Sequence, residues 1–364
     1  MGIYINGIGI IGGFGAGVDK LVQCLRSGAI PKMDLPDTGH PDKYYPSYIA
    51  DTSCLTDFVP KRELRRIDHF SQLALAGAFL ALKDAGIDRL ESKSTGLVIC
   101  SGYGSSRTTF SFLDSIIENG DDCASPTLFS NSVHNSAAGH ISILLTLSGP
   151  SLTVSQFEMS VHSALTTALI WLHEGRAEQI LFGAVDEVCK VLNYCYRRFY
   201  GERGDYLMTP FDHDSESAIP GEGAAFFLLS KKKRTSKNYG AIESVITGNI
   251  ADNVKELPEK TFCIINADGH RDCDMHYHDI IPHGSLTSCY TPLYGSIPTG
   301  PAFDMAIGAL CFNEGKIFKS PNGIALKAGI NLLQKDHILD INNISCIKIG
   351  REEKLGIINM SNKG

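Results

Sequence analysis

The sequence predicts an α/β protein built from two related βαβ halves that join near residue 235. Three observations predict it. Short apolar runs of strand character alternate with helical stretches along the whole chain. Some of those runs are apolar throughout, as strands covered on both sheet faces are. One abrupt charge run, Lys231–Lys237 (KKKRTSK), interrupts the alternation before it resumes. The expected domains are therefore 1–235 and 236–364, although no repeat is visible as identity between them.

In chain order, Ile3–Ile11 clusters β-branched residues ahead of a glycine-rich turn, Gly12-Gly13-Phe14-Gly15-Ala16-Gly17, and Val18–Arg26 is helical. Strand, glycine turn and helix also open a dinucleotide site. These glycines do not fall as G-x-G-x-x-G, however, and no acidic residue follows at the ribose position, so no nucleotide cofactor is expected. Ile67–Gly86 is rich in Ala and Leu and closes on Asp84-Ala85-Gly86, a helix with a glycine stop. Gly96–Ser101 suits a central strand and Thr108–Ile117 a helix. Gly149–Val154, Met159–His173 and Gln179–Ala184 read as strand, helix, strand. Ala224–Leu229 is a strand, and the charge run after it reads as a solvated linker rather than a nucleic-acid patch. Strands at Ala241–Ile246, Thr261–Ala267, Ile344–Ile349 and Gly356–Met360 and a helix at Ala302–Glu314 complete the second half.

Composition excludes several classes of function. The chain of 364 residues carries 33 basic and 40 acidic side chains, a net charge of −7, which argues against a partner bound by phosphate neutralisation. An apolar fraction of 43% with 20% charged residues is that of a globular protein with a large core. No apolar run is long enough for membrane insertion, and Met1–Gly17 lacks the basic flank of a secretory signal. Eleven scattered cysteines without a C-x-x-C pair read as buried hydrophobes of a reducing compartment, so a cytoplasmic location is expected. His270, Cys273, Asp274, His276 and His278 (HRDCDMHYH) are rich in donors but fit no zinc spacing, and a polar loop is the plainer reading. No metal is expected.

Motifs in order along nearly the whole chain resemble the β-ketoacyl synthases. Gly149-Pro150-Ser151-Leu152-Thr153-Val154 and His173-Glu174-Gly175 through Gly183-Ala184 resemble that family's nucleophile region. Arg65-Arg66-Ile67-Asp68-His69-Phe70 resembles the start of its long helix. Pro210-Phe211-Asp212 with Gly221-Glu222-Gly223-Ala224 resembles its PFD…GEGA signature, and Asn266-Ala267-Asp268-Gly269 stands at its first histidine motif. The resemblance implies a thiolase-like fold, two similar βαβ halves in a five-layer αβαβα arrangement, and an obligate dimer.

Condensation in that family needs a cysteine whose thiol pKa is lowered at a helix N-terminus, and two histidines that stabilise the enolate. Ungapped alignment from Gly149 puts Glu158 at the nucleophile position, where it would repel a malonyl carboxylate. The first histidine position is Asp268. The second falls at Gly295 or Ser296, and no histidine lies between His283 and His337. The family's lysine falls near Tyr290, and its late glycine-rich loop is replaced by Gly350–Gly356. By this reading every catalytic group is gone and the chain has no catalytic residue of its own. The chain-length factors of type II polyketide synthases lost these groups together. Ala267-Asp268-Gly269 and the run Leu293-Tyr294-Gly295…Gly300-Pro301…Asp304-Met305-Ala306 resemble that branch, including the Gram-negative systems that make aryl polyenes or anthraquinones. Those proteins usually carry glutamine where Glu158 stands.

The resemblance implies a heterodimer with an active ketosynthase, around a tunnel whose bulk stops the growing chain. Thr109, Phe110 and Leu113 on the helix and Phe129 after it are the candidate gates, each with an ordinary core position as the alternative. An acidic acyl carrier protein would dock on cations, and Arg62, Arg65 and Arg66 are the candidates. His134 and His140 read as structural. Two other readings stay open: a malonyl-carrier decarboxylase or hydrolase using Glu158 and Asp268, and a self-pairing scaffold.

Overall fold

A computed structural model of the chain describes residues 2–33, 45–120, 122, 124–200, 207–211, 216–252, 257–258, 260–321, 330–338 and 340–363. Asp212 of the PFD motif lies outside the described residues. The first half runs β1 (Ile3–Gly12), β2 (Gly15–Ala16), α1 (Val18–Ser27), α2 (Lys61–Leu64), α3 (His69–Ala85), β3 (Thr95–Ser101), α4 (Ser106–Asn119), α5 (Pro126–Ser132), α6 (Ser136–Leu144), β4 (Ser151–Ser155), α7 (Ser160–Glu174), β5 (Gln179–Asp186), α8 (Lys190–Tyr200) and β6 (Gly223–Ser230). The second runs β7 (Ala241–Asn249), β8 (Thr261–Ile265), α9 (Arg271–Asp274), α10 (Tyr277–Ile280), β9 (Thr287–Ser288), α11 (Gly300–Glu314), β10 (Lys316–Ile317), β11 (His337–Ile338), β12 (Asn343–Ile349) and β13 (Lys354–Ser361).

The strand order carries the repeat that identity hides. The sheet reads β4-β3-β5-β6-β1 and then, in mirror order, β7-β13-β12-β8-β9, so equivalent strands of the two halves occupy equivalent places. The two runs meet where Ile3 pairs with Ile242 and Tyr4 with Ala241.

Strand alternation places the layers. Leu97 and Ile99 of β3 face outward onto α3 and α6, whereas Val98 and Cys100 face inward onto α7. In β8, Phe262 and Ile264 join the same inner core with α7 and α11, and Cys263 and Ile265 face outward with Tyr277 of α10. Helix, sheet, helix pair, sheet, helix: these are the five layers, and the fold is thiolase-like. α11 is apolar all round because it has a sheet on either side, so Gly300–Phe312 is buried without interruption. α3 lies so close on β1 that a Cβ at Gly9 would sit 1.9 Å from the Gly77 carbonyl oxygen.

The charge run is not the solvated linker the sequence suggests. Lys237 pairs with Asp84 at 2.5 Å, and the backbone N–H of Arg234 donates to Asn6 Oδ1 at 2.6 Å while its guanidinium donates to Gln179 at 3.0 Å. The connection is tied to α3, β1 and β5, Lys231 donates to His173 O at 3.2 Å, and Lys232 and Lys233 stay exposed.

Candidate functional site

β3 runs parallel to β4 and β8 parallel to β12, and residues just beyond the carboxyl ends of both pairs meet at one pocket, the place where an α/β sheet puts its chemistry. Tyr103 follows β3, Glu158 follows β4, Asp268 and His270 follow β8, and Lys348 and Arg351 come from the end of β12 and just beyond it. Tyr196 of α8 and Ser296, ahead of α11, close the sides.

Each group is held by its neighbours. The turn bearing Glu158 is pinned by Ser160, whose hydroxyl accepts from Gln156 N at 2.8 Å and donates to Ser101 O at 2.8 Å. Phe157 adopts φ +45° there, in the left-handed region. Asp186, at the end of β5, accepts from Ser101 Oγ at 2.7 Å and from the amides of Gly102 and Tyr103 at 2.9 and 3.0 Å, which fixes the loop that carries Tyr103. Asp268 is engaged at both oxygens: Oδ1 meets His270 Nδ1 at 3.0 Å, and Oδ2 accepts from Lys348 Nζ at 2.9 Å and Ser296 Oγ at 3.1 Å. Asp274 accepts from the amides of Asp268 and Gly269.

Burial alone would raise the Asp268 carboxyl, but the charges of Lys348 and His270 outweigh it and hold the group well below the usual carboxylate range. Asp268 in turn raises both His270 and Lys348 against the burial that would lower them. Asp274, buried beside Asp268, is pushed up to about 7. His162 on α7 is fully buried with neither ring nitrogen partnered among the described residues, and burial with the nearby Lys348 charge takes it down to about 3. Its ring has room only because residue 356 is glycine, where a Cβ would sit 2.4 Å from His162 Cε1.

These side chains leave a cavity of about 20 Å³. That is about the space of one water, too small for an acyl thioester. The structure therefore revises the sequence picture in three places. His270, read there as part of a polar loop, puts an imidazole into the pocket. A lysine is present after all, but it is Lys348 rather than a residue near Tyr290, which is buried in the core. Ser296, not Gly295, lines the pocket: Gly295 sits at φ +90°, and a Cβ there would approach Tyr48 to 2.7 Å. A lone lysine among the apolar residues of Ile344–Ile349 was the available signal for Lys348. Among the described residues no group of three or more His, Cys, Asp or Glu comes together to hold a metal ion.

The remaining motif residues are structural. Glu222 of the GEGA motif is fully buried and accepts from Ala50 N at 3.1 Å and Val188 N at 3.0 Å, with His69 Nε2 at 2.8 Å. Asp304 accepts from Tyr294 OH and Asn266 Nδ2, each at 2.7 Å, which clamps α11 to the loop before it.

The candidate gates are not core residues. Thr109 is half-buried, its hydroxyl donating to Ser105 O at 2.9 Å, while Phe110, Leu113 and Phe129 are 37%, 44% and 59% exposed. They share a surface with Ile117, Val133, Ile143, Leu152 and Phe157, carried on α4, α5, α6, β4 and the turn after it, which pack on one another in sequence. β4 ends the sheet with one edge unpaired among the described strands. Arg62, Arg65 and Arg66 are exposed in and just after α2, with Arg62 3.8 Å from Glu63. His134 is exposed, and His140 contacts Asn131 Oδ1 at 3.2 Å.

Residues 2–235 match the β-ketoacyl synthase N-terminal domain. The chain belongs to the β-ketoacyl synthase family. It is 23% identical over 254 residues to 3-oxoacyl-[acyl-carrier-protein] synthase 2 of Vibrio harveyi, a match covering 66% of this chain and 61% of that protein. It is 24% identical over 259 residues to nodulation protein E of Rhizobium leguminosarum bv. trifolii, covering 68% and 62%. The chain thus spans about three fifths of these relatives. Among solved structures, the ishigamide ketosynthase/chain length factor superposes with a TM-score of 0.83 at 18% identity, covering 100% of this chain and 99% of that one. A ketosynthase in complex with its chain length factor from Xenorhabdus doucetiae superposes with a TM-score of 0.82 at 15% identity, covering 99% and 98%. At such identities these likenesses show the fold alone. Among the described residues no helix is long and apolar enough to cross a membrane.

Proposed function

We propose that this chain is a non-condensing ketosynthase-like subunit, a chain-length factor. It pairs with an active ketosynthase and shapes the tunnel that sets the length of a polyketide or polyene chain. One observation carries the reading: the pocket outside the strand ends is closed to about 20 Å³ by Tyr103, Tyr196, Arg351 and the Asp268–Lys348 pair, with Glu158 in the nucleophile position.

Two features support a partner. Phe110, Leu113, Phe129, Ile143, Leu152 and Phe157 are exposed apolar side chains on neighbouring elements, and β4, which carries one of them, has an edge unpaired among the described strands. Neighbours of the same fold are described as a ketosynthase with its chain length factor. Another is described as a type II acyl-carrier protein in complex with its ketosynthase, which agrees with a carrier-borne chain and with Arg62, Arg65 and Arg66 as docking cations. Thr109, Phe110, Leu113 and Phe129 are the proposed gates, since they stand on the surface a partner would cover. Decarboxylation or hydrolysis by Glu158 and Asp268 is disfavoured. Both oxygens of Asp268 are engaged, Oδ1 by His270 and Oδ2 by Lys348 and Ser296, and about 20 Å³ leaves no room for a carrier thioester beside them.

The test is co-expression with the ketosynthase encoded nearest to this chain. A one-to-one complex, with neither condensation nor malonyl-carrier decarboxylation by this chain alone, is expected. A stable homodimer that ignores the ketosynthase, or turnover by the lone chain that Glu158→Ala abolishes, refutes the proposal.

A further inference from the structure

The helix that carries most of the proposed gates is lightly held. Among the side chains of α4 only Thr108 is buried, and Ser105, at the N-cap position, gives no side-chain cap: its hydroxyl is buried without a partner among the described residues. The first amides of a helix need acceptors from outside it. Here one comes from another element. Arg107 N donates to Glu187 Oε1 at 2.8 Å, so a carboxyl just past β5 fills the role of an N-cap side chain.

That carboxyl stands in a poor place to ionise. Glu187 and Glu222 are both fully buried, and Glu187 Oε2 has no hydrogen-bond partner among the described residues. The guanidinium of Arg107 lies 3.9 Å from Glu187 and 3.6 Å from Glu222, and donates to Val188 O at 2.8 Å. Its side chain is half-exposed, so α4 supplies the group that stands between two buried carboxyls and solvent. From the start of α3, His69 pairs with Glu222 at 2.8 Å and favours ionisation of Glu187, whereas Asp68 opposes it. Cys189 is buried nearby, and burial with the Glu187 charge pushes its thiol up. Burial outweighs Arg107 and His69 and pushes Glu187 up to about 7. Ionised Glu187 gains most from hydration, which the lifting of the first turn of α4 provides. A proton on Glu187 therefore favours the docked helix, and its loss favours release.

We infer that Glu187 is a positioning residue for α4: protonated, it pins the first turn of the helix that bears Thr109, Phe110 and Leu113, and its ionisation as pH rises lets that turn open. As an influence on chain length this rests on the proposed function; as an anchor it does not.

Hydrogen exchange of the full chain, in complex with its ketosynthase if it is purified so, tests it over residues 106–113 after correction for the intrinsic pH dependence of exchange. In the unaltered chain, protection should fall about tenfold from pH 6 to pH 8, the change expected of one group that titrates near its ordinary value when hydrated and at about 7 when covered. Glu187→Gln keeps the acceptor and cannot ionise, so its protection should stay constant over that range. Arg107→Gln keeps the amide but removes a cation that favours ionisation, and should move the midpoint of the fall to higher pH. Equal protection at pH 6 and pH 8 in the unaltered chain overturns the inference. So does a fall that persists in Glu187→Gln, which would assign it to His69, or an Arg107→Gln midpoint that stays put or moves down. In the complex, product lengths should broaden from pH 6 to pH 8 with the unaltered chain and not with Glu187→Gln. Constant lengths beside a shifted protection would keep the anchor and remove the gating reading.

Discussion

Lys348 and Asp268 are both buried and 2.9 Å apart, so a double-mutant cycle on the pair measures what now holds the closed pocket. Lys348→Met leaves the Asp268 carboxylate in the interior with only His270 and Ser296 to compensate it. Removing one member of a buried ion pair costs about 3–5 kcal/mol, and the surviving partners place this variant near the lower end, about 3 kcal/mol. Asp268→Asn strands the Lys348 ammonium in the interior, beside a His270 that loses the carboxylate holding its pKa up, and should cost as much. The double variant removes both charges and should cost less than either single change, a coupling of at least about 2 kcal/mol. The pH dependence follows from the direction of the shift. The folded Asp268 pKa lies below the unfolded value of about 3.9, so its stabilisation is fully present above that pH and is lost as pH falls through the folded pKa. The Asp268→Asn penalty should accordingly shrink below pH 4, and shrink again as pH rises above about 6.5 and through the raised His270 pKa, where the His270 share of the coupling is lost. Urea unfolding followed by circular dichroism and by Trp171 fluorescence reads these numbers where the two curves coincide. Additive single effects, with a coupling below about 0.5 kcal/mol, would refute the account of an interdependent buried pair.

Other predictions follow from the same geometry. Burial pushes Glu187 up to about 7, so it keeps a proton on folding that the unfolded chain releases above about pH 4.3, and stability falls as pH rises between the two values. Glu187→Gln should change little at pH 4 and stabilise by up to about 3 kcal/mol above pH 7, as thermal unfolding across that range would show. Glu158→Cys should restore no carbon–carbon bond formation with malonyl-carrier substrate, since about 20 Å³ admits no thioester; measurable condensation would contradict the closed pocket. In the complex with a ketosynthase, Thr109→Trp or Leu113→Trp should shorten the product by mass spectrometry, and unchanged lengths across both would remove the gating assignment. Gly356→Ala drives a methyl group to within 2.4 Å of His162 and should yield little folded protein.

Much of the frame was legible in the sequence because it rests on local rules. The glycine stop at Gly86 is a left-handed cap on α3, and the apolar runs at Gly96–Ser101 and Gln179–Ala184 are central strands. The proposed loss of the nucleophile and of the second histidine rests on the sequence alone, as absences at fixed places in the motif order. The pocket's new contents were not legible there. His270 stands two residues past the expected position, and its ring enters the pocket through the turn at Gly269, φ +86°. Lys348 arrives from a strand some eighty residues downstream of Asp268. Such pairs form by three-dimensional approach, which no spacing along the chain encodes.

The bare margin of β4 has a consequence for how a cell must make this protein. Under the proposed pairing, a chain released from the ribosome before a partner arrives offers other newly made copies a ladder of amides and carbonyls uncapped among the described strands, beside greasy side chains such as Leu152 and Ile143. Orphaned molecules would then clump or be degraded, so the proposed heterodimer would make balanced synthesis of its two polypeptides a demand of a single five-residue ribbon.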